Sequence, residues 1–200
     1  MLHPATELRS LRALGTGVVA TEHIPRGTVV WVMDAMDRVV SPDSVRAMPP
    51  LLRSAVRNHG YFDRSGNIVL CWDHARYVNH SCEPNCLSPG YGYEVAIVDI
   101  EPGTALTNDY LTLNLACDFQ CECGAPSCRK NIHAASAHAM VPIWDGWVSA
   151  ALPHVFEVEQ PLMELLSATD RRNLRKVVQG AMPPRSSKWH LVNEPLRMPA

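Results

Sequence analysis

Apolar residues in the first third of the chain come in short runs broken by turn material. Gly17-Val-Val-Ala20 and Thr28-Val-Val-Trp-Val-Met33 flank Pro25-Arg-Gly27, a pattern that predicts two strands joined as a β-hairpin. The pattern changes between Ser41 and Gly60. There Pro49 and Pro50 open a segment in which Leu51, Leu52, Ala55 and Val56 share one helical face, and Gly60 ends it, so one short helix is predicted. β-rich runs return at Asn67-Ile-Val-Leu-Cys71 and Tyr93-Glu-Val-Ala-Ile-Val98, with Ser65-Gly66 and Pro102-Gly103 as turns. Beyond Cys128 the apolar spacing becomes helical, first at Trp144, Trp147 and Val148, then at Leu162, Leu165 and Leu166. A last helix is capped by Ser167 or Thr169, carries Leu174, Val177 and Val178 as its stripe, and stops at Gly180. From Met182 onward, Pro183, Pro184, Pro195 and Pro199 predict an extended or loose tail. The chain thus reads as many short strands around one helix to about residue 116, and as helices after that.

Composition narrows the functional classes. With 200 residues, 46% of them hydrophobic, the chain can bury a core without cross-links and is not generally disordered. A net charge of −2 excludes a polycationic binder of nucleic acid or membrane surfaces. Charge divides as 11 basic against 14 acidic residues through Lys130, and 7 against 6 afterwards. No apolar run is long enough to span a bilayer, and the charged opening MLHPATELRSLRALG lacks the pattern of a signal peptide. A cytoplasmic location is expected, or a nuclear one in a nucleated source. Seven cysteines in such a compartment point to metal binding, chemistry or packing before disulfides.

Four constellations carry candidate chemistry. Cys121-Glu-Cys123-Gly-Ala-Pro-Ser-Cys128 places three thiols in eight residues, and Gly124 and Pro126 let that loop turn all three toward one tetrahedral Zn²⁺. Spacing alone leaves the fourth ligand open among Cys117, Cys82, Cys86, Cys71 and His133. Tyr77-Val-Asn-His-Ser-Cys-Glu-Pro-Asn-Cys86 packs a carboxamide, an imidazole, a hydroxyl and a thiol into ten residues, more polar functionality than a connection needs. As a Cys–His nucleophile pair the segment is weak, because such a pair is a relation in space rather than in sequence. Gly15-Thr-Gly17 precedes a strand but lacks the third glycine and following helix of a dinucleotide fingerprint. Pro102-Gly-Thr-Ala-Leu-Thr-Asn-Asp-Tyr110 is a turn and short strand ending in a tyrosine behind an aspartate.

In order and spacing these four resemble the SET-domain lysine methyltransferases. The family's G-x-G strand opening is matched by Gly15-Thr-Gly17, with Ile24-Pro-Arg-Gly27 after it. Its R-(F/Y)-x-N-H-S-C-x-P-N motif is matched by Arg76 to Asn85 without a mismatch. Its G-x-x-L-x-(Y/F)-D-Y motif is matched by Gly103 to Tyr110, and its C-x-C-x4-C post-SET segment by Cys121, Cys123 and Cys128. The resemblance covers about Leu14 to Lys130. The N-H-S-C-x-P-N string is highly specific, whereas the other three are weak singly and strong in sequence.

The resemblance implies a mainly β SET fold of small curled sheets with a pseudoknot, residues 1–116. It implies a post-SET zinc-binding segment at 117–130, followed by a helical C-terminal extension at 131–200. It implies S-adenosyl-L-methionine as cofactor, bound by Gly15, Thr16, Gly17, Tyr77, Asn79, His80, Tyr110 and Phe119. Tyr110 is then the catalytic tyrosine, and one structural Zn²⁺ sits on Cys82, Cys121, Cys123 and Cys128. Cys71, Cys86 and Cys117 are left as buried thiols, and Asp109 as a structural residue. The expected reaction is methyl transfer to a lysine of a protein substrate, with an apolar channel helping the ammonium lose its proton and no general base required. The acidic front portion is compatible with a basic substrate. Direct nucleic-acid binding is not expected, since Arg171, Arg172, Arg175 and Lys176 read as a solvated helix face. This chain departs from the family at Asn108, where an aromatic usually stands and bears on how many methyl groups are added. The segment between Met33 and Cys71 is short, and the extension after Lys130 has no counterpart in the minimal domain. Two rival readings are a zinc-stabilised binding module without catalysis and a methyltransferase for a small-molecule amine.

Overall fold

The structure is a computed structural model that describes residues 1–12, 14–192 and 196. Its strands are β1 (Thr6–Leu11), β2 (Gly15–Ala20), β3 (Val29–Val32), β4 (Arg38–Val40), β5 (Gly60–Phe62) and β6 (Ile68–Leu70). They continue as β7 (Asn79–His80), β8 (Cys86–Tyr91), β9 (Tyr93–Ala96), β10 (Thr107–Asn108), β11 (Phe119–Gln120) and β12 (Asn131–Ile132). The helices are α1 (Pro42–Arg46), α2 (Pro50–His59), α3 (Ala137–Ala151) and α4 (Ala168–Val178). Small sheets order as β1-β2, β3-β9-β8, β4-β6-β5, β7-β10 and β11-β12, consistent with the expected mainly β architecture with a helical extension.

The expected hairpin between residues 17–20 and 28–33 does not form. β2 pairs with β1, from Thr6↔Ala20 to Leu11↔Gly15, while β3 pairs with β9 some sixty residues away. The intervening segment is pinned elsewhere: Ile24 exchanges backbone hydrogen bonds with Ile100, and Gly27 N donates to Ala96 O. A chain held along that line cannot fold back as a tight turn. Near residue 50 there are two helices instead of one, since Ser41 caps the extra helix α1 by accepting from Ser44 N. In α2 only Val56 of the expected face is buried, and Leu51 is 86% exposed.

The extension packs into the main core. Trp144 and Val148 of α3 and Leu174 of α4 share one buried cluster with Val29, Leu87, Val95 and Leu111. Ser167 caps α4 by accepting from Asp170 N, and Gly180 supplies the positive φ that ends it. The tail is not loose through Val192. The turn Ser187–His190 packs on β8, where Ser88 Oγ lies 2.7 Å from His190 Nε2 and the Arg64 guanidinium sits 3.8 Å from the Trp189 ring centroid. These cation–π and polar contacts outweigh the local preference of the two prolines for an open chain. Pro195 and Pro199 lie outside the described residues.

Candidate active site and thiol cluster

The parallel pair β7-β10 decides where the chemistry sits. Asn79 stands opposite Thr107 and His80 opposite Asn108, so two segments nearly thirty residues apart become one wall. Ser81 N donating to Asn108 O continues the ladder, and the Asn85 side chain ties the end of the loop to Ala105 O and Thr107 N. Asn79 Nδ2 donates to Thr16 O at 3.0 Å, which draws the Gly15–Gly17 strand start against the same wall. Gly17 is needed for that approach. A Cβ there would lie 2.3 Å from Leu11 Cδ1 and 2.7 Å from Asn79 Nδ2.

Tyr110 follows immediately, at the start of the turn Tyr110–Leu113. Its hydroxyl donates to Val78 O at 2.9 Å, and its ring stands 5.4 Å from His80 and 6.2 Å from Phe119. His80 and Phe119 meet edge to face at 5.3 Å, completing a triangle of rings. Burial pushes the Tyr110 hydroxyl up to about 12, so it stays protonated and able to donate. Burial likewise lowers the His80 imidazole, with Asp109 acting against it and Arg129 with it. Tyr110 N donates to Nδ1 of this neutral ring, which leaves the proton on Nε2, 3.5 Å from Cys82 Sγ. Gly15, Thr16, Gly17, Asn79, His80, Tyr110 and Phe119 therefore lie along one connected surface. Tyr77 does not join it by its ring, which packs edge to face on His59 at 5.1 Å.

Cys82, Cys121, Cys123 and Cys128 form a second centre behind His80. Their sulfurs all lie within 4.8 Å of one another, the one cluster of metal-ligating side chains of this kind among the described residues. Cys82 and Cys121 Sγ are 3.8 Å apart, the separation that two bonds of about 2.3 Å make at a tetrahedral Zn²⁺. Burial opposes ionisation of Cys123, but N–H bonds from Cys82 and Ala125 outweigh it and hold this thiol below its ordinary value. The other candidates for fourth ligand are elsewhere. His133 is paired with Asp118, Cys71 and Cys86 are buried apart, and Cys117 is exposed rather than buried as expected. Cys117 lies in the bend between the partly buried Ala116 and β11.

Two residues that sequence reasoning passes over join these centres. Arg129 donates from Nη2 to Asp109 Oδ1 at 2.8 Å, and from N and Nε to Cys82 Sγ at 3.3 Å. Trp144, fully buried, donates its indole N–H to Asp109 Oδ2 at 3.1 Å. Asp109, with no exposed surface, thereby links the tyrosine, the thiols and helix α3. Arg129 directly follows the last cysteine of the thiol segment, which is the one hint the sequence holds. Trp144 enters the sequence reading only as part of an apolar helical stripe, with nothing to mark its N–H as a partner of Asp109.

On its other side Tyr110 borders a cavity of about 560 Å³. Trp31, Tyr61, Cys71, Glu94 and Asn108 share its lining. Asn108 is not open to water as a lone polar group. Its Nδ2 donates to Glu94 Oε1, and its Oδ1 accepts from Thr112 Oγ1 at 2.9 Å. Enclosure pushes the Glu94 carboxyl up from 4.5 to about 7, with the Asn108 bond pulling weakly the other way.

This geometry is accompanied by a family match: residues 15–111 match the SET domain. The chain is 25% identical over 130 residues to histone-lysine N-methyltransferase ASHH3 of Arabidopsis thaliana, covering 59% of this chain and 35% of that protein. It is 40% identical over 73 residues to the H3 lysine-4 specific histone-lysine N-methyltransferase of Schizosaccharomyces pombe, covering 33% of this chain and 7% of the other. The chain thus spans well under half the length of these relatives. Among solved structures, KRYPTONITE in complex with mCHG DNA and SAH matches 63% of this chain and 28% of its own, at 24% identity and a TM-score of 0.44. No helix of the described residues is long and apolar enough to cross a membrane.

Proposed function

We propose that the protein is an S-adenosylmethionine-dependent N-methyltransferase acting on a lysine side chain of a protein. The observation that carries this reading is the position of Tyr110, whose ring belongs to the His80–Phe119 group and whose edge borders the cavity beyond it. In this reading Gly15, Thr16, Gly17, Asn79, His80 and Phe119 hold the cofactor, and the lysine reaches Tyr110 through the cavity. When bound, the cofactor supplies a methyl group activated by its sulfonium charge. The residues of the chain bring the amine into line with it, and positioning of this kind is worth roughly 7–11 kcal/mol in oriented systems. The Tyr110 hydroxyl and the carbonyls beside it add weak C–H···O contacts of about 0.5–1 kcal/mol each.

Residues 117–130 act as a post-SET segment, with one Zn²⁺ held by Cys82, Cys121, Cys123 and Cys128 clamping it to the cofactor wall. A reducing cytoplasmic or nuclear compartment belongs to the same reading, because the four thiols must stay free of disulfides. The histone substrates that the relatives' names state suggest the first proteins to try. The test is incubation of the full chain with radiolabelled S-adenosylmethionine and core histones, with a panel of other basic proteins and with free lysine, alongside Tyr110→Phe. Label on a protein lysine, lost in the variant, is the expected outcome. A wild-type chain with no measurable affinity for S-adenosylhomocysteine would sink the proposal.

A further inference from the structure

We propose that Glu94, steadied by Asn108 on the cavity wall beside Tyr110, is the anion that receives the incoming ammonium group and takes its proton before methyl transfer. The proposal rests on the methyltransferase reading above and adds to it a proton acceptor.

Glu94 lies on β9, where its cross-strand partner is Trp31, so both side chains stand on the face that lines the cavity. The Trp31 indole N–H is itself buried and without a hydrogen-bond partner among the described residues. A carboxylate and an indole donor on one apolar wall leave polar valence that the fold itself does not consume. Among the described residues no cation lies within ion-pair distance of Glu94. A half-buried carboxylate on an apolar wall, without a positive partner, is costly to the fold, and an ammonium delivered into the cavity supplies the missing charge.

The other titratable groups near Glu94 do not compete for this role. Tyr61 from β5, Cys71 beside β6 and Cys86 from β8 are all raised by burial, and Tyr110 as well. All four hold their protons at neutral pH. Asp37 acts on Tyr61 and Cys71 but not on Glu94. The same cavity reaches Arg57, Arg64, Arg76 and Arg185, together with His59 and His190, and the acids Asp63 and Asp170. Arg64 and Arg185 are stacked on Trp189, and Arg76 faces Tyr77. None of these charges moves the Glu94 carboxyl, whose titration is set by burial and by the Asn108 bond.

The step balances within the pocket. An N–H bond of the ammonium breaks, its electron pair stays on nitrogen, and the proton forms an O–H bond with Glu94. One cation and one anion become two neutral groups, so the proton moves without creating net charge in the enclosed site, and the low polarity there reduces the cost of the transfer. The nitrogen pair is then free to attack the methyl carbon. The Glu94 proton leaves to solvent through the cavity, restoring the carboxylate for the next substrate.

The test uses n-butylamine, the chemical equivalent of a lysine side chain, added to the full chain and followed by NMR. The wild type should bind the ammonium at pH 8 and lose about tenfold in affinity at pH 5.5, where Glu94 is protonated. Glu94→Gln should bind about tenfold more weakly at pH 8 and show no such pH dependence. Equal binding by wild type and variant, with matching circular-dichroism spectra and matching affinity for S-adenosylhomocysteine, would overturn the proposal. If the variant does not fold, the wild-type carboxyl is titrated by ¹³C NMR instead. A carboxyl midpoint near 7 that falls when n-butylamine is added supports the role, and a midpoint unmoved by it overturns it. In methyl transfer to core histones, Glu94→Gln should shift the rate profile toward the titration of the free amine, near 10.4. An unshifted profile with transfer intact defeats the role of Glu94 and leaves the methyltransferase standing. Ammonium binding in a chain with no affinity for the cofactor does the reverse.

Discussion

The indole N–H of Trp144 donates to Asp109 Oδ2 at 3.1 Å, so a helix beyond the thiol segment holds the aspartate that precedes Tyr110. Asp109 has no exposed surface and accepts from Arg129 as well, which in turn donates to Cys82 Sγ. The extension after residue 130 is therefore bonded to the centre of the molecule rather than appended to it. Trp144→Phe removes the N–H together with part of the buried ring. The variant should lose at least about 1–3 kcal/mol in urea denaturation, the cost of leaving one buried carboxylate oxygen without its donor, with the cavity left by the smaller ring adding to it. Its affinity for S-adenosylhomocysteine should fall with it, because Asp109, Arg129 and Cys82 share one network. A stability loss with unchanged affinity would separate the helix from the site.

The thiol cluster predicts a metal count. The purified full chain should carry about one zinc by atomic emission, and chelation should weaken cofactor binding along with removing the metal. Cys82→Ser should lower both the zinc content and the affinity. Cys117→Ser should change neither, since that thiol stands exposed and apart from the other four.

Gly17 tests the wall itself. In Gly17→Ala the new methyl would push against Asn79 Nδ2 and Leu11, breaking the bond from Asn79 to Thr16 O. The Kd for S-adenosylhomocysteine, measured by calorimetry, should rise about tenfold, the equivalent of one hydrogen bond of about 1.4 kcal/mol.

Glu94 predicts the direction of a pH effect on stability. Its carboxyl titrates near 7 in the folded chain against 4.5 when unfolded, so between those values the native state binds the extra proton. The Glu94 contribution to stability is present below about 4.5 and is lost as pH rises through 7. Glu94→Gln cannot ionise, so it should gain on the wild type between pH 5 and pH 8. The gain is at most about 3 kcal/mol, since each tenfold difference in proton affinity between the folded and unfolded chain is worth about 1.36 kcal/mol. Urea denaturation at the two pH values reads it directly, and a constant difference would show that the carboxyl does not titrate in that window.

Some of the structure is legible residue by residue. α2 and α4 are written in their caps and stops, Pro50 with Gly60 and Ser167 with Gly180, because helix ends are decided by local backbone chemistry. Strand existence near Ile68–Leu70 and Tyr93–Ala96 is legible for the same reason. Strand partners are not: β2 reaches back to β1 and β3 forward to β9, choices made by packing between distant segments. The order of the tail escapes a local reading because prolines speak only for their own backbone, while Trp189 and His190 find their partners on Arg64 and Ser88.

By itself the sequence determined the chemical inventory. It held three thiols in a turning loop, the run from Tyr77 to Cys86, the glycines before a strand and a tyrosine behind Asp109, all set by short-range spacing that the chain cannot alter by folding. The tertiary structure decided which of the five candidates stands beside the three thiols, what Asn108 faces, and which helix secures Asp109. Those three outcomes join residues 39, 14 and 35 positions apart. Contacts of that span are fixed by which surfaces bury each other, and by the need of every buried charge and donor for a partner, neither of which local spacing records.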